Sequence, residues 1–188
     1  MHVYATSYPR YERIQNYAFL FDWLNAQKEE CVVLQAGAEE GIEGLGIAIP
    51  AFTHCDVYNS ATTSSLMPEE RIVHNYLVHL FMNGVTPETL SAYLKEHQSE
   101  ERTYLYSNWK GVFGVKEFPD FGDATLETRM AEMPATYTKF FTKDIGTELK
   151  KYRLDFVLSV GPLPETITKR LPGMTLAKEF ANIFIYQI

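Results

Sequence analysis

The fold is decided by two stretches near the end of the chain, YRLDFVLSVGP at residues 152–162 and LAKEFANIFIY at residues 176–186. The first stretch contains a short apolar run that ends at a Gly-Pro pair, which predicts a buried strand followed by a turn. The second stretch predicts a short hairpin that closes the chain. A buried strand followed by such a hairpin is typical of an α/β domain.

Three further segments complete the predicted sheet. The run Cys31–Ala36 is short and rich in β-branched residues, as expected for a strand in the middle of a sheet. Ala51–Tyr58 indicates a second strand, which should start after Pro50 because proline cannot donate a hydrogen bond to the ladder. Thr103–Tyr106 indicates a third strand, and we expect it to share one sheet with Cys31–Ala36 and Phe156–Val160.

Between the strands, apolar residues recur at helical spacing. They predict helices over Pro9–Ala26, from an entry at Ser64–Glu70 to a stop at Gly84, and over Thr86–Leu94, Thr125–Thr142 and Ile145–Tyr152, with the Thr125–Thr142 helix interrupted near Pro134. Because strands and helices alternate, we predict a single α/β domain over residues 1–188. It should have three layers, with a largely parallel sheet, helices on both faces and a C-terminal antiparallel hairpin.

Charge and hydropathy exclude two classes of protein. The formal net charge of −7 and the scattered Lys and Arg residues argue against binding to a phosphate backbone, so we expect no nucleic-acid partner. No apolar run approaches the roughly 18 to 20 residues of a membrane-spanning helix, and the first residues lack the pattern of a signal peptide. We therefore expect the chain as given to be soluble.

The two cysteines, Cys31 and Cys55, are predicted to be free thiols. Two cysteines are too few for a disulfide scaffold, and these lie too far apart for a Cys-x-x-Cys pair. Each falls in a predicted strand, and nothing in the sequence fixes their approach to the Cα separation of about 7 Å or less that a disulfide needs.

No cofactor is expected, although a glycine-rich segment follows the first predicted strand. The glycines of residues 37–46 match neither a dinucleotide-binding fingerprint nor a P-loop. The acids Glu39, Glu40 and Glu43 would repel a phosphate, and no lysine follows the glycines. A flexible acidic loop is the prediction for this segment.

Metal ligands and catalytic groups are not predicted either. His74 and His79 lie five residues apart on one helix, about 140° around its axis, so they cannot chelate one ion as an i, i+4 pair does. His54 and Asp56 should share one face of a strand, whereas His54 and Cys55 should point to opposite faces. The hydroxyl-rich segment 59–65 has no turn signature that would present a nucleophile.

Open α/β sheets bind their ligands in the crevice at the carboxyl ends of the strands. On topology alone, we predict that ligand-binding residues lie at these strand ends. They are Gln35, Glu39, Asn59, Ser107, Asn108 and Gly161.

An aromatic segment, Asn108–Phe121, has neither helical nor strand periodicity. One interpretation is a lid over the core of the domain itself. The other is a surface that faces a membrane or a partner, because amphipathic rings interleaved with lysines favour that boundary. The residues predicted to face the membrane or partner are Trp109, Phe113, Phe118 and Phe121.

Short motifs along nearly the whole chain carry a family resemblance. They are FDWLN at 21–25, CVVL at 31–34, IPAFT at 49–53, VY at 57–58, ERIVHNY at 70–76, LKKYRLDFVL at 149–158 and FIY at 184–186. With these motifs the chain resembles the C-terminal extracytoplasmic domain that follows the last membrane helix of polytopic bacterial glycosyltransferases and related membrane proteins. Those enzymes are similar to the dolichyl-phosphate-mannose-protein mannosyltransferase superfamily.

The resemblance implies a non-catalytic role. In such enzymes the catalytic acid belongs to a loop between early membrane helices, which this chain does not contain. The resemblance therefore implies an accessory domain on the extracytoplasmic side of the membrane that contributes to acceptor or donor binding. Its implied partners are the transmembrane region of the parent protein or the membrane surface, with a sugar or lipid-linked sugar as ligand. The alternative is a free-standing cytoplasmic α/β enzyme or small-ligand-binding protein with its site at the strand ends.

Overall fold

The computed structural model describes residues 14–36, 45–59, 67–105 and 121–188. The chain forms two compact units, which we call the sheet unit and the helical unit. The sheet unit comprises Met1–Asn59, Lys150–Leu163 and Gly173–Ile188, and the helical unit comprises Ser60–Leu149 and Pro164–Pro172. That the chain is a single domain stays a prediction.

The sheet unit contains a five-stranded mixed sheet. Its strands are β1 (Val32–Ala36), β2 (Asp56–Val57), β3 (Phe156–Val160), β4 (Thr175–Phe180) and β5 (Ile183–Gln187). The strand order is β2-β1-β3-β5-β4, in which β2, β1 and β3 run parallel and β4 and β5 form an antiparallel hairpin. The predicted α/β class, with a parallel centre and a C-terminal antiparallel hairpin, is therefore confirmed.

Two helices of the sheet unit, α1 (Ala18–Asn25) and α2 (Leu45–Phe52), supply apolar residues to the core. The core on this side consists mainly of Leu20, Phe21, Leu24, Leu45, Ala48, Ile49, Val33, Phe156, Leu158, Ile183 and Ile185. Leu34 and Val157, which point to the other face of the sheet, are also fully buried. Because both faces of the sheet are buried, apolar residues follow one another in β1 and β3 and do not alternate with polar ones at Val32–Leu34 and Phe156–Leu158.

The helical unit is built from six described helices. They are α3 (Glu69–Met82), α4 (Leu90–Glu96), α5 (Gln98–Leu105), α6 (Phe121–Phe141), α7 (Ile145–Leu149) and α8 (Glu165–Thr168). Its core includes the buried rings of Tyr76, Tyr137 and Phe140, and the Tyr137 hydroxyl donates a 2.6 Å hydrogen bond to the Val85 carbonyl. Among the described residues, no helix is both long and apolar enough to cross a membrane.

Helix α3 follows its sequence signals closely. Pro68 precedes it, and Glu69 and Glu70 occupy its first turn, where the helix dipole favours negative charge. It ends just before Gly84, whose φ of 71° is the left-handed conformation that glycine adopts readily. Helix α6, in contrast, continues through Pro134, so the predicted interruption is wrong. Pro134 is exposed, and water can reach the backbone groups that it leaves unpaired.

Two predicted strands are also wrong. Helix α2 covers Leu45–Phe52, and only Asp56–Val57 of the segment Ala51–Tyr58 is a strand. Thr103, Tyr104 and Leu105 are helical, as the end of α5, while Tyr106 lies outside the described residues. Both segments are short and apolar or aromatic, so their local pattern fits either structure and packing decides between them.

Candidate functional site

The carboxyl ends of three parallel strands lie along one edge of the sheet unit, which we call the carboxyl edge. Three of the predicted ligand-binding residues belong to it. Gln35 is the penultimate residue of β1, Asn59 lies two residues after β2, and Gly161 follows β3 directly. The structure therefore brings these three predicted residues to the same edge.

Asn59 is the carboxyl-edge residue whose side-chain amide lacks hydrogen bonds within the described residues. Both its amide nitrogen and its amide oxygen are buried, and neither has a hydrogen-bond partner among the residues that the structure describes. Leaving a buried polar group unpaired costs about 1–3 kcal/mol. A water molecule or a ligand with a donor and an acceptor side by side would remove that cost.

Gly161 shapes the carboxyl edge through its backbone. Its φ of 75° lies in the left-handed region, which lets the chain turn sharply after β3. Its N–H donates to the Asn182 carbonyl at 2.7 Å, and its carbonyl accepts a 2.7 Å hydrogen bond from the Ser159 hydroxyl. These bonds fix the turn beside the edge.

The remaining predicted site residues stay predictions. Glu39, Ser107 and Asn108 lie outside the described residues, as do Trp109, Phe113 and Phe118 of the aromatic segment. Phe121 is the first residue of α6.

At the opposite, amino edge of the sheet, Cys31 and Cys55 form a disulfide, with their Cα atoms 4.4 Å apart. The prediction of two free thiols is therefore wrong. The physical reason is strand register: Val32 pairs with Asp56, so the residues immediately before these two strands are also neighbours. Adjacent strands lie about 4.8 Å apart, within the range that a disulfide bridges.

Hydrogen bonds fix the loop that carries Cys55. The Asp56 N–H donates to the Cys31 carbonyl at 2.7 Å, and the Cys55 N–H donates to the Thr53 hydroxyl at 3.1 Å. The amide of Asn25, at the end of α1, donates to the Phe52 carbonyl at 3.0 Å and accepts from the His54 N–H at 3.3 Å.

The amino edge also holds β1 against β3 through one carboxylate. Asp155 accepts a 2.8 Å hydrogen bond from the Val32 N–H and a 3.0 Å bond from the Arg153 guanidinium. That guanidinium also donates to the Glu30 carbonyl. The Glu30 carbonyl is therefore bound to the segment before β3, while the next residue, Cys31, is bonded to the segment before β2.

His54 completes a cluster with the two cysteines. The ligand atoms of Cys31, His54 and Cys55 all lie within 4.8 Å of one another, and among the described residues this is the one such group of three. His54 Nε2 lies 2.9 Å from the Glu29 carbonyl oxygen, which can only accept, so Nε2 carries the proton and Nδ1 the lone pair. The predicted separation of His54 and Cys55 is wrong because β2 begins only at Asp56, and strand alternation does not reach them.

A second polar cluster lies in the helical unit, and we call it the His79 cluster. His79 Nε2 is 3.1 Å from a Glu100 carboxylate oxygen, and His79 Nδ1 is 3.0 Å from the Tyr104 hydroxyl. The Tyr93 hydroxyl donates to the same Glu100 oxygen at 2.8 Å. A carboxylate that orients an imidazole beside a hydroxyl is the arrangement that activates nucleophiles in many enzymes.

The His79 cluster determines the ionisation of Glu100. Burial alone would raise the pKa of this carboxyl, but the hydrogen bond and charge of His79, the Tyr93 hydroxyl and the charge of His97 together lower it. The sequence did not predict this cluster, because the spacing of His79 was compared only with that of His74. The sequence could indicate that His79 lies on the buried stripe of α3, but it could not indicate that His79 contacts α5.

Glu101, the next residue, has the opposite environment. Its side chain is buried, one carboxylate oxygen has no hydrogen-bond partner within the described ranges, and burial raises its pKa to about 7. The charge of Arg102 opposes this shift and that of Glu127 adds to it. The Tyr76 hydroxyl is also buried and makes no hydrogen bond to the described part of the chain, and burial, followed by the charge of Glu101, raises its pKa.

Fold and sites together define an α/β protein with an open mixed sheet, a disulfide at one sheet edge and an unpaired amide at the other. Comparison with family models, curated proteins and solved structures found no match to this chain. The resemblance to glycosyltransferase domains therefore stays a prediction.

Proposed function

We propose that this chain is a non-catalytic accessory domain that works on the extracytoplasmic side of a membrane, as part of a glycosyltransferase-like protein. Its role is to help bind a sugar acceptor or a lipid-linked sugar donor. The observation that carries this proposal is the Cys31–Cys55 disulfide. Disulfides persist in oxidising compartments and are rare in the reducing cytosol.

The disulfide has the features of a structural bond. Both residues are buried, at 4% and 1% exposure, which limits the access of thiol reagents to the sulfurs. The bond joins residues 24 positions apart, and closing a loop of that size stabilises the folded state by about 3–4 kcal/mol. A protein that depends on such a bond would lose much of its stability in the cytosol.

The carboxyl edge supplies groups suited to a sugar. An amide side chain both donates and accepts, which matches a pair of neighbouring sugar hydroxyls. Asn59 offers both atoms without competition from other described residues, and Gln35 lies on the next strand. We therefore favour Asn59 as the residue that contacts the sugar most directly, with Gln35 on the neighbouring strand as a second contact.

The alternative is a free-standing cytoplasmic α/β enzyme or small-ligand-binding protein. The observation that favours it is the His79 cluster, whose carboxylate, imidazole and phenol are linked by hydrogen bonds. The two proposals differ in compartment. An enzyme of the cytosol should keep Cys31 and Cys55 reduced and remain stable in that state.

Ligand binding can be tested on the purified, oxidised chain by NMR titration with monosaccharides and with polyprenyl-phosphate sugars. We expect shifts at the carboxyl edge, and the Asn59→Ala change should weaken binding by about tenfold, equivalent to ~1.4 kcal/mol. Gln187→Ala is the matched control. Gln187 also carries an exposed side-chain amide, but it lies at the amino edge, where it is opposite Phe156 in the strand register. Equal weakening by both changes, or no binding of any sugar, would count against the proposal.

The compartment can be tested separately by producing the chain with and without a secretory signal. Exported chain should contain no titratable thiol after denaturation, and it should resist proteolysis better than chain retained in the cytosol. A chain that is equally stable and fully reduced in the cytosol would favour the alternative.

A further inference from the structure

The Cys31–Cys55 disulfide lies beside a third potential metal ligand, the imidazole of His54. We propose that, when the disulfide is reduced, Cys31, Cys55 and His54 bind one divalent thiophilic cation, with Zn²⁺ as the best match. This site does not depend on the function proposed above. The disulfide and the metal site are alternative states of the same three side chains.

The ligand atoms are already close enough for one ion. Zn²⁺ binds sulfur at about 2.3 Å and nitrogen at about 2.0–2.1 Å, so atoms that share a tetrahedral shell lie roughly 3.5–4 Å apart. The atoms of Cys31, His54 and Cys55 all lie within 4.8 Å of one another. Once the bond between the sulfurs is broken, small side-chain rotations would bring all three into this range. Two thiolates and an imidazole leave the fourth position to water.

The tautomer of His54 suits a ligand. Its Nε2 donates to the Glu29 carbonyl oxygen at 2.9 Å, which leaves the lone pair on Nδ1. Metal-binding histidines commonly donate their second ring nitrogen to a backbone carbonyl in this way, because the contact fixes the tautomer and the ring orientation. The Glu29 carbonyl would be this supporting contact.

The scaffold of the site does not depend on the bond between the sulfurs. The loop around Cys55 is fixed by the Thr53 hydroxyl and by the amide of Asn25, and the Asp56 N–H binds the Cys31 carbonyl. None of these hydrogen bonds involves a sulfur atom. Reduction should therefore leave the three ligands near their present places.

Charge balance permits the ion at this buried site. Both cysteines are buried and would be neutral thiols in the empty reduced site, and the ion replaces their two protons with two positive charges. One divalent cation with two thiolates and a neutral imidazole has no net charge. His54 is exposed, and the ion can reach the sulfurs from its side.

The two states interconvert by a balanced reaction. A dithiol reductant transfers two electrons and two protons to the disulfide, giving two protein thiols and the oxidised, cyclic form of the reductant. Binding of one Zn²⁺ then releases the two thiol protons. Conversely, a disulfide oxidant such as the cyclic form of the reductant would take up two electrons from the thiolates and two protons from water, giving the protein disulfide, the dithiol and the free ion.

The test uses Co²⁺ as a spectroscopic probe of the full chain, reduced with a dithiol and then freed of reductant without oxygen. We expect one Co²⁺ per chain, a sulfur-to-cobalt charge-transfer band, displacement of Co²⁺ by Zn²⁺, and no band with the oxidised chain. His54→Ala should weaken binding at least tenfold, whereas His97→Ala, a histidine in the helical unit, should leave it unchanged.

Three results would overturn the proposal: a reduced, folded chain without a charge-transfer band, equal binding by the His54→Ala variant, or equal binding by the oxidised chain. If reduction itself unfolds the protein, Zn²⁺ should restore the native circular dichroism of the reduced chain. Failure of that recovery would also overturn the proposal.

Discussion

Glu101 should make the protein less stable as the pH rises towards neutrality. Its pKa is raised from 4.5 to about 7 in the folded state because the carboxyl is buried. The folded state therefore holds the proton more tightly than the unfolded state. The stabilisation that this provides is fully present below pH 4.5 and is lost as the pH rises through about 7.

The size of this pH effect on stability follows from the pKa shift of Glu101. At ~1.36 kcal/mol per pKa unit, a rise from 4.5 to about 7 corresponds to at most about 3 kcal/mol. A glutamine at position 101 keeps the shape of the side chain and cannot ionise. Relative to the native chain, we expect Glu101→Gln to gain about 1–3 kcal/mol of unfolding free energy between about pH 5 and about pH 8.

The assay is urea unfolding of the oxidised chain at a series of pH values, followed by circular dichroism. The matched control is Glu100→Gln, which removes the same charge one residue earlier. The pKa of Glu100 is lowered, since the contacts with His79 and Tyr93 outweigh the effect of burial. Its carboxylate stabilises the protein above its unfolded-state pKa, and this contribution is lost as the pH falls, so Glu100→Gln should be destabilising near neutrality. If Glu101→Gln has the same pH dependence as the native chain, the burial argument is wrong.

Four further outcomes are expected. Replacing Cys31 and Cys55 together by serine should lower the free energy of unfolding by about 3–4 kcal/mol in urea denaturation. The purified chain should not turn over nucleotide or polyprenyl-phosphate sugar donors; turnover above buffer that is abolished by Glu39→Ala would contradict a non-catalytic role. Vesicles with brominated lipids should quench Trp109 fluorescence if the aromatic segment faces a membrane, and unchanged fluorescence would favour the lid. Ala181 has φ of 51° in the β4–β5 turn, so Ala181→Asn should stabilise the chain by about 0.5–1 kcal/mol in the same unfolding assay, whereas Ala181→Val should destabilise it.

The parts of the fold that could be predicted are those with strong local signals. The strand Phe156–Val160 ends at Gly161, and the hairpin strands flank a two-residue turn, so turn chemistry and apolar runs agree there. The segments 51–58 and 103–106 have no such agreement. Thr103 and Tyr104 favour strands by their intrinsic preference, but they follow two acids in the first turn of α5, where the helix dipole favours negative charge.

The position of one candidate site could be predicted from the sequence, and that of the other could not. The carboxyl edge could be predicted, because the rule for open sheets needs only the order of strands and helices, and Gln35, Asn59 and Gly161 do lie there. The disulfide could not, because it depends on the register that pairs Val32 with Asp56.

Glu100 and Glu101 show why ionisation cannot be taken from residue type. They are adjacent and chemically identical, and helix α5 turns their side chains by about 100° relative to each other. The Glu100 side chain contacts His79 and Tyr93, and the Glu101 side chain is buried, close enough to Tyr76 for its charge to raise the pKa of that hydroxyl. Their pKa values therefore move in opposite directions, which only the packing of the helices could reveal.

The two edges of the sheet differ in a way that bears on the proposed role. At the amino edge, a disulfide, the Asp155 carboxylate and the Asn25 amide fix the strands to one another and to α1. At the carboxyl edge, the side-chain donor and acceptor of Asn59 have no partner among the described residues. A binding group held by a rigid scaffold loses little conformational freedom when it meets its ligand, so more of the contact energy becomes affinity. This predicts that Asp155→Asn, which loosens the amino edge by weakening the contact with the Val32 N–H, weakens the proposed sugar binding at Asn59 in the NMR titration without touching the binding residues.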